Sequence, residues 1–429
     1  MTAVRTALRS ALALAAIAAG FTGPAWPAGA GASGPATDAS GPAAGPPLIG
    51  YVLAAQTSKL DRLDTATGRM LRPITLSTAP DAMAIAPGGR TGYVLTSRSA
   101  VWAVNLVTGR AARVQGVGPY PYQVAFSVDG ATAYVLTRRA LVAVDVATRH
   151  VVRRLPLVWH PDGQVLQVAP GGHALFLLDI QTGDVTEVST ITNAKLRTFA
   201  IGFCATAGVF SPGGRWLYLP TVSGVVAVNA ASGAVSAPVP VGNCGLGSLL
   251  LAPGGKAIYA PGTGARNQTT VTKIDVAGGR LTPAWSATVD PKGGAVSMAC
   301  APGGSTLYAG TPLRKSVLPV STATGAVGPP IADHIANRQL VLGGTGRYLL
   351  AAGGQAAVAV ISTGTKRLVR TIRVRDRIDG FVSLQAAPGG RPVFAVVSAG
   401  WLVPISATDG RSGRLVPADG QPARIIFGP

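Results

Sequence analysis

Glutamate is almost absent from this chain: Glu187 is the only one among 429 residues. Lysine occurs at seven positions, histidine at four and cysteine at three (Cys204, Cys244 and Cys300). Charged residues make up 13% of the sequence, far below the roughly 25% of an average globular domain. These shortages exclude whole classes. A chain so poor in charge lacks the solvent faces of amphipathic helices, and no helical apolar stripe follows the N-terminus. Three cysteines and four dispersed histidines carry no zinc-ligand spacing. The Gly-x-Ser-x-Gly elbow, the His-Glu-x-x-His helix, the phosphate-binding loop, the dinucleotide fingerprint and Cys-x-x-Cys are all missing. With one glutamate, paired-carboxylate chemistry would rest on aspartates alone. No cofactor or metal is expected, and no catalytic residue stands out.

No apolar run after the N-terminus reaches the ~18 residues of a membrane helix. The N-terminal run itself, Ala11 to Gly20, is too short to span a bilayer. It follows Arg5 and Arg9 and precedes Ala28-Gly29-Ala30, which is the pattern of a secretory signal peptide cleaved near Ala30. Residues 1–30 are therefore read as a signal peptide. Residues 31–47, rich in Gly, Ala, Pro and Ser, are read as a disordered linker, and 48–429 as one domain. The mature protein is expected to be a secreted or cell-envelope monomer without an integral membrane segment.

Glycine and proline, by contrast, are abundant, with 56 and 33 copies. They mark a repeat. An apolar strand runs into Pro-Gly-Gly or Asp-Gly, and an aromatic with a β-branched run follows. The closing glycines are Gly89, Gly130, Gly172, Gly214, Gly255, Gly304, Gly346 and Gly390, spaced by 41, 42, 42, 41, 49, 42 and 44 residues. Short strands at this period form an all-β array, a β-propeller of four-stranded antiparallel blades. Tyr51, Tyr93, Tyr134, Phe176, Tyr218, Tyr259, Tyr308, Tyr348 and Phe394 take equivalent places, as packing between neighbouring sheets. A second turn carries Asp or Asn before Thr/Ser-Gly, as in Asp64 to Gly68, Asn105 to Gly109 and Asn229 to Gly233. Such residues accept backbone N–H groups and shape turns, so these aspartates are read as structural.

Residues 423–427 read as an inner strand with no partner after it, and 48–76 as outer strands with none before them. Together they make a blade shared between the two ends. Eight internal units and one split unit give nine, within a range of seven to nine blades. The segment 176–200 is irregular, because Thr182-Gly183 arrives too early for the second turn.

Tyr93-Val94-Leu95-Thr96 and Tyr134-Val135-Leu136-Thr137 resemble the YVTN signature, and Val144 to Thr148 resembles that family's third-strand ending. From about residue 48 onward the chain is similar to secreted bacterial YVTN (YncE-like) β-propeller proteins. Other units depart from the signature, with Leu177, Leu219, Ala260 and Ala309 at its second place. The resemblance implies a propeller and no particular activity, since one fold hosts many functions.

Function is then sought in what the repeat does not fix. The connectors between units hold Trp159-His160-Pro161-Asp162 and Asp333-His334. His160, Asp162, Asp333 and His334 are the candidates for acid/base or cation chemistry in a lactonase- or lyase-like propeller. Cys204 and Cys244, one repeat apart at the entries of adjacent inner strands, are expected to form a disulfide after export, leaving Cys300 buried and free. The net charge is +20, nearly all from arginine. Its densest runs are Arg138-Arg139, Arg153-Arg154 and the stretch holding Arg367, Arg370, Arg373, Arg375 and Arg377. These are the candidates for an anionic polymer. The leading reading is an exported, non-enzymatic binding or scaffold module whose partner is a protein or a polyanion. The alternatives are a propeller enzyme and binding of DNA, which the YncE-like resemblance permits.

Overall fold

The computed structural model describes residues 48–96, 100–158, 164–202, 207–242, 247–294, 296–353, 357–373, 382–388, 392–398 and 400–428. Within them the chain forms nine antiparallel sheets. Each is one blade of a nine-bladed β-propeller, and the inner strand of each blade begins at the connector face. Blade 1 is the split one. Gln421–Phe427 is its inner strand, followed outward by Ile49–Ala55, Lys59–Asp64 and Arg69–Thr75. Blade 2 begins at Pro80 and blade 3 at Pro121, with blades 4 to 9 beginning at Gln164, Val209, Leu250, Ser297, Asn337 and Val382. In blade 5 the outermost segment is held by isolated bridges, Val225 to Val239 and Val228 to Val235, rather than by a full strand.

The core is distributed. Nine apolar clusters each straddle two neighbouring blades, from blades 1 and 2 round to blades 9 and 1. No blade can bury its faces alone, so the ring must close. The repeated aromatic sits at the third place of the second strand, or the second place in the shorter strand of blade 9, and fills these interfaces. Tyr93 is fully buried and meets Phe126 of the next blade edge to face, with centroids 5.3 Å apart. The hydroxyls reach further. Tyr134 lies 3.1 Å from the Thr190 carbonyl oxygen in the next blade, and Tyr308 donates to the Thr363 carbonyl of its neighbour at 3.1 Å. Blade 8 is the exception. Leu350 holds the aromatic's place there, and Tyr348 sits two residues earlier, half-buried.

The turns follow their chemistry. Gly89, Gly130, Gly172, Gly214, Gly255, Gly304 and Gly346 all have φ between 65° and 71°, a region closed to most side chains. Asp64, Asn105, Asp145 and Asn229 accept N–H groups of the following turn residues at 2.7–3.2 Å. The signature threonine has its own task. Thr96, Thr137, Thr221 and Thr311 each donate Oγ1 to the carbonyl opening the third strand, at 2.8–3.3 Å.

Segment 176–200 is a regular blade. Thr182-Gly183 closes the hairpin between its second and third strands, at the opposite end from the Thr-Gly turns. Its third-to-outer turn, Thr190 to Ala194, uses Asn193 at φ 55° in place of glycine.

Inner strands expose an unpaired backbone edge to the channel. Three glutamines cover part of it. The Gln123 amide both donates to the Leu166 carbonyl (2.8 Å) and accepts from the Leu166 N–H (2.9 Å). Gln167 pairs likewise with Gly208, and Gln339 with Leu384. Each side chain imitates a peptide group and ties one inner strand to the next.

Candidate functional site: channel mouth and outer rim

Connectors between blades and the hairpins joining second to third strands lie on one face, around the channel mouth. Inner strands start there with β-bulges. In blades 1, 2, 3 and 8 the register skips one residue, leaving Ala423, Asp81, Tyr122 and Arg338 unpaired. A bulge re-aims a side chain, and three of these four are polar or aromatic. Desolvation raises the Asp81 pKa although the residue is open to water, as expected for a carboxyl within a concave mouth. Burial pushes the Tyr122 hydroxyl up to about 12; a hydrogen bond with the Gln164 backbone opposes this, and the nearby Asp179 charge adds to it. Asp179 is buried and accepts from Gln164 Nε2 at 3.1 Å and from the N–H groups of Gln181 and Thr182. Beside them the Arg138 guanidinium lies 4.4 Å from the centre of the exposed Tyr120 ring, and Tyr120 has φ 55°.

Of the proposed acid/base residues, Asp333 and His334 lie within the described residues, and His160 and Asp162 outside them. Asp333 is buried, and its Oδ1 accepts the Ile335 N–H at 3.1 Å, shaping the connector. His334 is exposed, at φ 60°. Neighbours in sequence, they thus face different surroundings. No group of three His, Cys, Asp or Glu side chains suited to a metal ion occurs among the described residues. Cys204 and Cys244 lie outside them. Cys300 carries no disulfide and is half-buried rather than fully buried; desolvation pushes its thiol up to about 11. That makes it a poor nucleophile.

At the split blade, Asp61 on the N-terminal side faces Asp419 on the C-terminal side. Asp61 is 4% exposed, and its Oδ2 has no hydrogen-bond partner among the described residues. Desolvation raises its pKa, and the Asp419 charge adds to this; the Asp419 N–H and Lys59 oppose it. An acid whose pKa is raised by folding destabilises the fold when ionised. That cost is removed as pH falls through the raised pKa, and removal is complete below the unfolded value. Asp61→Asn is therefore expected to be more stable than the parent at neutral pH. The difference should shrink on acidification. Other carboxylates, such as Asp145 with its pKa lowered by Thr148, weaken both proteins alike in acid, so the difference between the two denaturation curves is the readout. A constant difference from neutral to acid pH would refute the assignment.

The outer strands carry the second feature. In blade 1 the outer strand bears Arg69 and Arg72, in blade 2 Arg113, and in blade 3 Arg153 and Arg154, all exposed. Blade 4 adds Lys195 and Arg197, blade 8 adds Arg367, Arg370 and Arg373, and the outer segment of blade 9 adds Arg411 and Arg414. Going round the ring, these six blades are consecutive. None of these outer strands carries a carboxylate. Blades 5 to 7 contrast with them, with Arg280 as the one cation of their outer strands and segments. Some of the cations are engaged. Arg154 donates to the Val117 and Gly116 carbonyls. Arg197 Nε lies 2.7 Å from Glu187 Oε2, a close ion pair with the buried carboxylate.

Of the arginines singled out by their runs, Arg153, Arg154, Arg367, Arg370 and Arg373 lie on this rim. Arg138 and Arg139 lie in a hairpin of the connector face, and Arg375 and Arg377 are outside the described residues. Arg72 and Arg113, isolated in sequence, join the rim only because the ring places blades 1, 2 and 3 side by side.

No known protein family is matched by the sequence, and no curated protein resembles it closely enough to count. Solved structures do share the fold. The dihydro-heme d1 dehydrogenase NirN, in complex with DHE, superposes with a TM-score of 0.60 at 16% identity, covering 88% of this chain and 74% of that one. A eukaryotic initiation factor gives 0.61 at 10% identity, covering 90% and 98%. Apo AztD from Citrobacter koseri gives 0.55 at 10% identity, covering 89% and 98%. These likenesses establish the propeller and nothing of its chemistry. Among the described residues no helix is long and apolar enough to cross a membrane.

Proposed function

We propose that this chain is an exported, non-enzymatic β-propeller of the YVTN (YncE-like) kind, acting as a binding module at the cell envelope. One observation carries this reading: the two signs of charge are sorted by the fold. Asp64, Asp129, Asp145, Asp179, Asp290, Asp333 and Asp409 each accept a backbone N–H in a turn. Arg69, Arg72, Arg113, Arg153, Arg154, Arg367, Arg370 and Arg373 stand on outer strands facing water. Carboxylates held by turns are poorly placed for proton transfer, whereas a solvent-facing field of guanidinium groups attracts anions. Export rests on the N-terminal pattern of Arg5, Arg9, the Ala11 to Gly20 run and Ala28-Gly29-Ala30.

Cell fractionation tests the reading. The mature protein is expected to begin near residue 31, to sediment with the envelope, and to be released by a high-salt wash without detergent. Recovery free in the medium at low salt, or in the cytoplasm with an intact N-terminus, would count against it.

A further inference from the structure

We propose that the outer strands of blades 8, 9, 1, 2, 3 and 4 form one continuous track for an extended, flexible chain of phosphate or phosphodiester groups. The proposal rests on the binding-module reading and names its partner by chemistry and by place. Three observations define the track. Cations recur on six neighbouring blades; Arg72, Arg113 and Arg153 are exposed and in no ion pair among the described residues, and Arg370 is exposed with the Asp409 charge nearby. Outer-strand carboxylates are missing along it, and the nearest acids are occupied. Asp64 and Asp145 hold turn N–H groups, Glu187 meets Arg197, Asp409 meets Arg411, and Asp419 meets Lys59.

The third observation separates recognition from mere edge protection. Arginine on an outer strand also prevents sheets from pairing edge to edge. Blades 5 to 7 achieve that protection without an arginine track. Blades 5 and 7 use short outer segments broken by Pro238, Pro240, Pro329 and Pro330, and blade 6 a longer bulged strand interrupted at Pro283 with a single arginine. Edge protection alone therefore does not require the charge found on the other six blades.

The spacing selects the partner. A compact anion meets one blade and one or two water-screened guanidinium groups, which gives little affinity. A long chain engages successive blades, and each further contact becomes intramolecular. The rim is also convex and tightly curved. A domain of this length has a radius of gyration of about 20 Å, whereas duplex DNA stays straight over roughly 500 Å. A duplex touches such a rim at a tangent, while a flexible chain follows it. Guanidinium groups suit phosphate oxygens because they donate two parallel hydrogen bonds.

The test uses the full mature chain and long-chain inorganic polyphosphate, with tripolyphosphate and a short DNA duplex of matched total charge as comparisons. Polyphosphate is expected to bind at least tenfold tighter than either. With about six contacts, its affinity should fall by two to three orders of magnitude between about 50 and about 200 mM salt. The track variant R72E/R113E/R153E/R370E should lose at least ~100-fold in polyphosphate affinity. An equally charged control off the track, R90E/R266E/R280E/R314E, should lose less than ~10-fold. Equal losses in the two variants would overturn the track while leaving a generally cationic binding module standing. Tripolyphosphate binding as tightly as the polymer would overturn the extended partner, and tighter binding of the duplex would overturn the flexible one. These two comparisons use the unaltered protein, so they hold even if a variant misfolds. Failure of every anionic probe to bind would remove the proposal, while envelope retention would separately decide the reading beneath it.

Discussion

Tyr134→Ala should destabilise the propeller by about 3–5 kcal/mol, the range for removing a fully buried large aromatic. The ring is 0% exposed, packed between blades 3 and 4 among Leu136, Leu166, Leu175 and Leu177. Its hydroxyl also lies 2.7 Å from Asn193 Oδ1 and 3.1 Å from the Thr190 carbonyl. Both acceptors belong to the turn in which Asn193 takes a left-handed conformation, so the tyrosine packs an interface and steadies the neighbouring blade's turn. Tyr134→Phe keeps the ring and should cost about 1 kcal/mol, the net worth of a hydrogen bond. Tyr348→Ala is the contrasting case. Tyr348 lies off the repeat position, half-buried, with the Arg347 guanidinium 5.6 Å above its ring. Its loss should cost about 1 kcal/mol or less. Denaturant midpoints with unchanged slopes would measure all three. Equal costs at Tyr134 and Tyr348 would refute the distinction between the repeat position and its neighbour.

That contrast also marks how far the fold was legible in the sequence. The period, the glycine turns, the Asx turns and the shared blade were readable because each has a local chemical cause. A left-handed turn needs glycine, and a short polar side chain can replace a missing backbone partner. Features depending on the next blade left no such mark. Tyr348 looked equivalent to the buried aromatics because it follows a glycine turn, yet the register places Leu350 in their interface. Thr182-Gly183 looked like a second turn and proved to close a different hairpin. Gln123, Gln167 and Gln339 looked like ordinary polar residues in apolar strands; only their pairing with the adjacent inner strand explains them. The candidate sites were less legible still. Arginine runs drew attention to Arg138-Arg139, which lie in a connector-face hairpin. The rim joins the runs at Arg153-Arg154 and Arg367 to Arg373 with the isolated Arg72 and Arg113, and adjacency round a ring is not adjacency in sequence. Asp333 and His334, adjacent in sequence, differ in burial because a bent connector turns neighbouring side chains apart.

The glycines sharpen the same point. Pro-Gly-Gly draws the eye, yet in three of these turns the first glycine should be dispensable. A Cβ at Gly88, Gly213 or Gly303 would meet nothing within 4 Å, and none of the three has a positive φ. Alanine there should change stability by no more than about 0.5 kcal/mol, as at most surface sites. Gly262, outside any turn motif, should be the intolerant one. It is buried near the end of the second strand of blade 6, where the signature threonine stands in blades 2, 3, 5 and 7. The connector leaving blade 5 crosses over it so closely that a Cβ would overlap the Val241 carbonyl oxygen and carbon. Backbone cannot swing aside as a side chain does. Gly242, in that connector, is pressed equally close to Thr263 at φ 82°, so the two strands cannot part by adjusting there. Gly262→Ala should therefore cost about 3 kcal/mol or more, the upper range of overpacking. The loss should be local to the interface of blades 5 and 6, with amide exchange fastest in Leu250–Leu251 and Ala257–Thr263. If Gly262→Ala melts with the parent while Gly88→Ala does not, the close approach of the blade 5 connector is not what makes glycine necessary at this position.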